Sequence, residues 1–282
     1  MYYNRKTKTI ENPEESGQKT LELLYNSLGG RIFLQTIAAR PWFSDLLANY
    51  HKSTWSHKDI VPFIQKHDVK VCPNCANKHY KTFNDFFIRK KKVNVNLTKN
   101  VLVSPADSKM RFFQISDDLR IKIKGTTYSI ADILGSEVDA QAFKNGTCIV
   151  FRLSVDDYHR YHYIDNGRLL GTYKINGELH TVRPIAEQYG VYARNTRVIN
   201  MFETENFGKV AQIEVGALLV GKIVNHSNTF FKKGEEKGYF EYGGSTIVML
   251  FNKEIKFDDD IIQMNNLGVE TKVCAGERIG IC

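Results

Sequence analysis

The stretch GYFEYGGSTIVMLF, residues 238–251, sets two glycines and a Ser-Thr pair directly before an apolar run. As local structure, Gly243-Gly244 supplies a turn and Ser245 opens the next strand. As chemistry, the same order puts a hydroxyl nucleophile beside a peptide bond with no Cβ on its glycine side. A hydroxyl needs a base, and VDDYHRYHYIDNG (155–167) offers His159 and His162, with Asp156 and Asp157 before them and Asp165 after. Histidines three apart fit a metal site on one helical face, plain structural roles, or acid–base catalysis. The segment lies between a β-rich run and an Asn-Gly turn, which disfavours a helix, and no HExxH pattern occurs. In VSPADSK (103–109) a strand breaks at Pro105 into a loop holding Asp107, which either caps a turn or orients a histidine as a third catalytic member. An ordinary serine hydrolase is disfavoured, because a Gly-x-Ser-x-Gly elbow needs glycine where Ile247 stands.

These residues need a scaffold, and the sequence suggests two parts. Within the first hundred residues the periodicity is helical: Leu21, Leu24, Tyr25 and Leu28 form one stripe, and Trp42, Phe43, Leu46, Leu47 and Tyr50 a second. After FNDFFIRKKK (83–92) short apolar or alternating runs take over, separated by glycines and by Asn145-Gly146, Asn166-Gly167 and Asn176-Gly177. That pattern predicts an α+β chain: N-terminal amphipathic helices over 1–82, then a mostly antiparallel β-sandwich or barrel-like domain over 83–282. KKGEEKG (232–238) reads as a solvated charged turn. The basic run RKKKVNVNLTK reads as an exposed face or as a phosphate or headgroup contact.

A net charge of +8 draws the protein to polyanions. Nucleic-acid signatures such as an RNP1 string or paired zinc-finger spacings are missing, so no nucleic-acid partner is expected and an anionic membrane is favoured. The N-terminus lacks an apolar signal core and no run is long enough to span a bilayer, which predicts a peripheral protein on the cytoplasmic side of the cell membrane. Trp42, Phe43, Leu46 and Leu47, flanked by Arg31, Arg40 and Lys52, are the candidate membrane contacts; the alternative is packing on the main domain. Five cysteines without an export signal argue against a disulfide framework, and Cys72-Pro-Asn-Cys75 is half of a zinc ribbon or a redox pair with no second half, so no metal is expected.

Six strings in order, FNDFFIRK, SPAD, DYHRYH, ARNTRVINMFET, AQIEVGALLVGKI and KGEEKGYFEYGGSTIVMLF, resemble the phosphatidylserine decarboxylases, a pyruvoyl-dependent family of self-cleaving proenzymes. The resemblance covers about residues 83–252. It implies cleavage between Gly244 and Ser245, giving chains 1–244 and 245–282 that stay together, with Ser245 converted to the covalent pyruvoyl cofactor. It further implies His162 as the base, Asp107 fixing its tautomer, His159 or His162 as the later acid, and decarboxylation of phosphatidylserine to phosphatidylethanolamine through a Schiff base. A homodimer is compatible with it. GGST stands for the family's LGST, and Ser108 stands where a glycine usually follows the SPAD aspartate. Alternatives are a soluble amino acid or another seryl lipid as substrate, an uncleaved membrane-binding relative, and a metal-dependent hydrolase built on His159 and His162.

Overall fold

The computed structural model describes residues 1–282 apart from 13–17, 68, 70, 72–75, 77, 124–125, 219–221 and 244. The chain opens with a hairpin, β1 (Tyr2–Asn4) and β2 (Thr9–Glu11). Helices follow: α1 (Gln18–Asn26), α2 (Leu28–Phe33), a π turn (Leu34–Ala38), α3 (Pro41–Lys52), a 3-10 turn (Thr54–Asp59), α4 (Ile60–His67) and α5 (Phe83–Phe87). Ser27 and Thr82 start α2 and α5, their hydroxyls accepting the N–H groups of Gly30 and Asp85, each at 3.0 Å.

Beyond residue 100 strands dominate. They are β3 (Val101–Val103), β4 (Ser108–Gln114), β5 (Arg120–Ile123), β6 (Thr126–Ser129), β7 (Thr147–Leu153), β8 (Arg160–His162), β9 (Gly167–Ile175), β10 (Arg197–Thr204) and β11 (Gly208–Gly216). Then come β12 (Ile223–Asn225), β13 (Phe230–Phe231), β14 (Glu236–Phe240), β15 (Ser245–Phe251), β16 (Lys256–Phe257), β17 (Glu270–Val273) and β18 (Arg278–Ile281). Short helices α6 (Ile130–Leu134), α7 (Glu137–Ala140), α8 (Val191–Arg194) and α9 (Asp259–Asn266) lie between them.

Ten strands form the central sheet, in the order β13-β9-β10-β11-β15-β7-β4-β17-β1-β2. It is antiparallel except where β1 runs parallel to β17. The small sheets β12-β14-β8 and β16-β18-β3 contribute to the core on one face, and helices cover the other. Alternation along β15 makes both contacts: Ile247, Met249 and Phe251 join a core with Tyr161 and Phe240, while Val248 and Leu250 join one with Tyr25, Leu34 and Tyr192. With both faces covered, β7 and β15 are buried throughout, which is why they read as unbroken apolar runs. Each large apolar side chain so buried contributes roughly 1.5–3 kcal/mol. A third, smaller core of Ile60, Ile64, Phe83, Phe86 and Phe87 receives Tyr242 and ties the N-terminal helices to the loop before β15.

The α+β expectation holds, with packed open sheets and no closed barrel among the described residues. Three local expectations are corrected. Residues 2–11 form a sheet hairpin where helix was expected, because Tyr2 and Asn4 find partners on β17 and on Glu11. Residues 89–98 have no regular structure. The turn KKGEEKG is not wholly solvated: the Lys237 ammonium is fully buried, donating to Glu214 Oε1 at 2.9 Å and Asn225 Oδ1 at 2.6 Å. An ion pair that completes its hydrogen bonds can offset its desolvation, which sequence periodicity does not reveal.

Candidate active site

Ser245 is the first residue of β15, opposite Gly216 of β11 and Leu153 of β7, and its side chain shares the face of Ile247. It is completely buried and its Oγ has no hydrogen-bond partner among the described residues. Gly243 has φ 132°, a region that only glycine enters without strain, so the first glycine of the pair is conformationally required. Gly244 lies outside the described residues. The loop leading here is clamped from several sides. Phe240 N–H donates to His159 O at 3.0 Å, Glu241 pairs with Lys52 of α3 at 2.7 Å, and the Tyr242 ring sits 4.1 Å from His51 and 5.2 Å from Phe87.

His159 is fully buried, its ring 4.2 Å from Phe87. Its Nδ1–H donates to the Asp157 carbonyl at 2.9 Å, leaving Nε2 as a bare acceptor without a partner. Burial pushes its pKa down to about 3, so the ring is neutral at neutral pH. His162 closes β8 opposite Glu236, and its backbone N–H donates to Pro105 O at 2.9 Å, joining the SPAD loop to this strand. Its ring stacks on Tyr158, Nδ1 is unpartnered, and burial again lowers the pKa. The irregular segment after α5 runs alongside: Ile88 O accepts from Arg160 Nε at 2.7 Å, and the Lys91 ammonium lies over the Tyr158 ring.

Asp107 is held firmly, but not by an imidazole. One carboxylate oxygen accepts the Ala275 N–H at 2.9 Å and the other takes the Lys91 ammonium. The expected tautomer-fixing hydrogen bond from His162 to Asp107 is therefore not made here; a full positive charge from the basic run competes successfully for the same oxygen. Lys91 and Arg89 are residues the sequence reading left on a generic basic face. Arg89 is half-buried over the Phe86 ring and forms no ion pair with a described residue. The signal that could have found them was their position immediately after FNDFF.

The candidate membrane residues divide. Trp42 and Leu46 are 51% and 59% exposed and, with Tyr50, make an i, i+4, i+8 stripe on α3, whereas Phe43 and Leu47 are half-buried and Phe43 packs on the helix-side core. Leu23, Leu28, Ile32, Phe33 and Trp55 enlarge the exposed apolar surface. Cys72 and Cys75 lie outside the described residues. Among the described residues no three metal-ligating side chains converge, and no helix is long and apolar enough to cross a membrane. A cleft of about 1040 Å³ between β9, β13 and the 232–235 turn holds none of the candidate catalytic residues.

The Ser245 hydroxyl, His159 Nε2 and His162 Nδ1 are all buried without a hydrogen-bond partner among the described residues. The class is an α+β enzyme whose core strand β15 opens on a buried serine. The phosphatidylserine decarboxylase family profile matches residues 83–281, and the chain belongs to that family of carboxy-lyases. Over 99% of its length it is 46% identical to phosphatidylserine decarboxylase proenzyme 2 of Clostridium acetobutylicum, covering 97% of that protein. It is 40% identical to the phosphatidylserine decarboxylase proenzyme of Clostridium tetani and 38% to that of Ruminiclostridium cellulolyticum, in each case over 99% of this chain and 97% of the relative.

Proposed function

We propose that the chain cuts its own Gly244–Ser245 bond and, once cut, decarboxylates phosphatidylserine at a bilayer surface. The observation that carries this is the unpartnered Ser245 hydroxyl at the head of β15 beside Gly243. His162 takes the Oγ proton as the oxygen attacks the Gly244 carbonyl carbon. The C–N bond then breaks, the Ser245 nitrogen receives the proton, and an ester joins the two halves. Loss of the Ser245 Cα proton expels the Gly244 carboxylate and leaves a dehydroalanine, which takes up water and releases ammonia. The family implies a pyruvoyl group, and the residues fit one: Ser245 supplies its carbon skeleton, water supplies the ketone oxygen, and the buried position of Ser245 keeps the new chain end in the core. That group supplies a carbonyl that accepts electrons from the substrate's Cα, which protein side chains cannot do. His159, neutral and with an unpartnered Nε2, carries a proton at that end; its neutrality and open acceptor support the role. Both chains stay together because β15 is hydrogen-bonded to β11 and β7.

Intact mass of the purified protein tests the reading. A chain of 244 residues and a blocked chain of 38 residues (282 − 244) are expected, with carbon dioxide released from phosphatidylserine vesicles. A single uncut yet active chain overturns it, and comparable turnover of free serine overturns the lipid assignment alone.

Attachment runs through α3. Trp42→Ser with Leu46→Ser should leave the fold intact, since both side chains are exposed, and should weaken binding to anionic vesicles at least about a hundredfold, each insertion being worth about 1.5–3 kcal/mol. Phe43→Asp is expected instead to lower the thermal midpoint. Unchanged vesicle sedimentation by the double variant would remove α3 as the contact.

A further inference from the structure

At the opposite end of α3 from the Lys52–Glu241 contact lies a cavity of about 200 Å³, lined by Arg31, Arg40, Arg194, Glu178, His180 and Tyr189 among others. Its single carboxylate is already engaged. Glu178 Oε2 accepts from Arg194 Nη2 at 3.0 Å and from His180 Nε2 at 2.9 Å. His180 Nδ1 in turn accepts from the Tyr25 hydroxyl at 3.2 Å, whose oxygen accepts the Thr181 N–H at 3.0 Å. This relay fixes one wall and leaves His180 uncharged, burial lowering its pKa further. Arg31 and Arg40 have no ion-pair partner among the described residues. Three guanidiniums against one carboxylate leave two positive charges, on the exposed Arg31 and Arg40, lining a small open-mouthed cavity.

The surroundings say which surface this space faces. Arg31 is followed by exposed Ile32 and Phe33, and Arg40 stands two residues before exposed Trp42. The twelve residues of α3, about 18 Å long, carry the Trp42, Leu46 and Tyr50 stripe from the cavity to the junction loop. We propose that this cavity is a phosphoryl-binding site, separate from the reaction centre. Guanidinium forks match phosphate oxygens in pairs, and a volume below the roughly 300–1,000 Å³ of drug-sized pockets suits a small anionic group rather than a whole lipid. The phosphate is supplied either by a free phosphate ester or by a lipid headgroup; the second source rests on the membrane reading above, while phosphoryl binding itself does not.

The test measures binding to the full chain irrespective of cleavage. Arg31→Gln with Arg40→Gln is compared with Lys19→Gln and Lys58→Gln, two exposed lysines outside the cavity that remove the same charge. If glycerol 3-phosphate binds the parent and the arginine pair weakens it at least about tenfold, with the lysine pair unaffected, a free ester is a sufficient ligand. If glycerol 3-phosphate does not bind, but attachment to phosphatidylglycerol-containing vesicles falls by that factor in the arginine pair only, the phosphate is lipid-borne. Equal losses in both pairs, or no loss in the arginine pair, overturn the site. Should the glutamine pair fold poorly, Arg31→Lys with Arg40→Lys, which keeps charge and loses the fork, replaces it and is expected to weaken binding more than the lysine control.

Discussion

Ser245→Ala is expected to purify as one 282-residue chain with no decarboxylase activity. The substitution removes one oxygen. Because that oxygen is buried and makes no hydrogen bond, the folded state loses no interaction and sheds a desolvated polar group, so the thermal midpoint should stay level or rise. Chemistry, in contrast, loses everything that depends on the hydroxyl: no acyl shift, no ester, and no new carbonyl at the head of β15. A stable, folded, inert proenzyme is thus a sharper outcome than mere inactivity. Mass spectrometry and a thermal melt read the two halves separately. Cleavage after residue 244 in this variant, or carbon dioxide release from it, would show that the carbonyl has another origin.

The same absence of partners explains why such a site is affordable. The junction is restrained by neighbours rather than by its own hydrogen bonds: Tyr242 is gripped by His51, Phe83 and Phe87, and Phe240 is bonded to the His159 carbonyl. At φ 132° Gly243 takes a conformation that would cost another residue roughly 1–3 kcal/mol, so glycine keeps the junction unstrained. N-terminal helices therefore serve the reaction centre as well as the surface, since α3 and α5 carry the residues that hold the loop.

How far this was legible from sequence differs residue by residue. The strands around Ser245 were visible because β7 and β15 are covered on both faces, and continuous apolar runs follow from that. The helical stripe on α3 was visible too, but periodicity does not tell which side of a stripe faces a core: Phe43 turned out half-buried and Trp42 exposed. The β1–β2 hairpin was not legible, because its pairing partner, β17, lies more than 260 residues away along the chain. Nor was Lys91, whose engagement with Asp107 depends on the irregular segment after α5 running past Tyr158. Long-range charge pairing leaves no periodic trace in a sequence; what the structure adds is that the SPAD loop adjoins β8 through the Pro105–His162 backbone bond.

His162→Ala is expected to slow self-cleavage by up to about 10⁶-fold, the scale seen when a base that activates a serine hydroxyl is removed. Burial keeps this imidazole below the usual histidine value near 6.5, so it is neutral and able to accept a proton at physiological pH. Cleavage should accordingly persist as pH falls through about 6.5 and decline only below it, once the folded-state imidazole protonates. Asp107→Asn is expected to be milder: the amide oxygen can still accept the Ala275 N–H, and what is lost is the charge that holds Lys91. His159→Ala should spare cleavage more than lipid turnover, since its free Nε2 is proposed to act after the new chain end has formed. Timed appearance of the two chains after synthesis, followed by carbon dioxide release from the cleaved material, separates these roles. Wild-type processing in the His162 variant would transfer the base role elsewhere. A loss in Asp107→Asn equal to that in His162→Ala would mean that Asp107 leaves Lys91 and moves onto the imidazole during reaction.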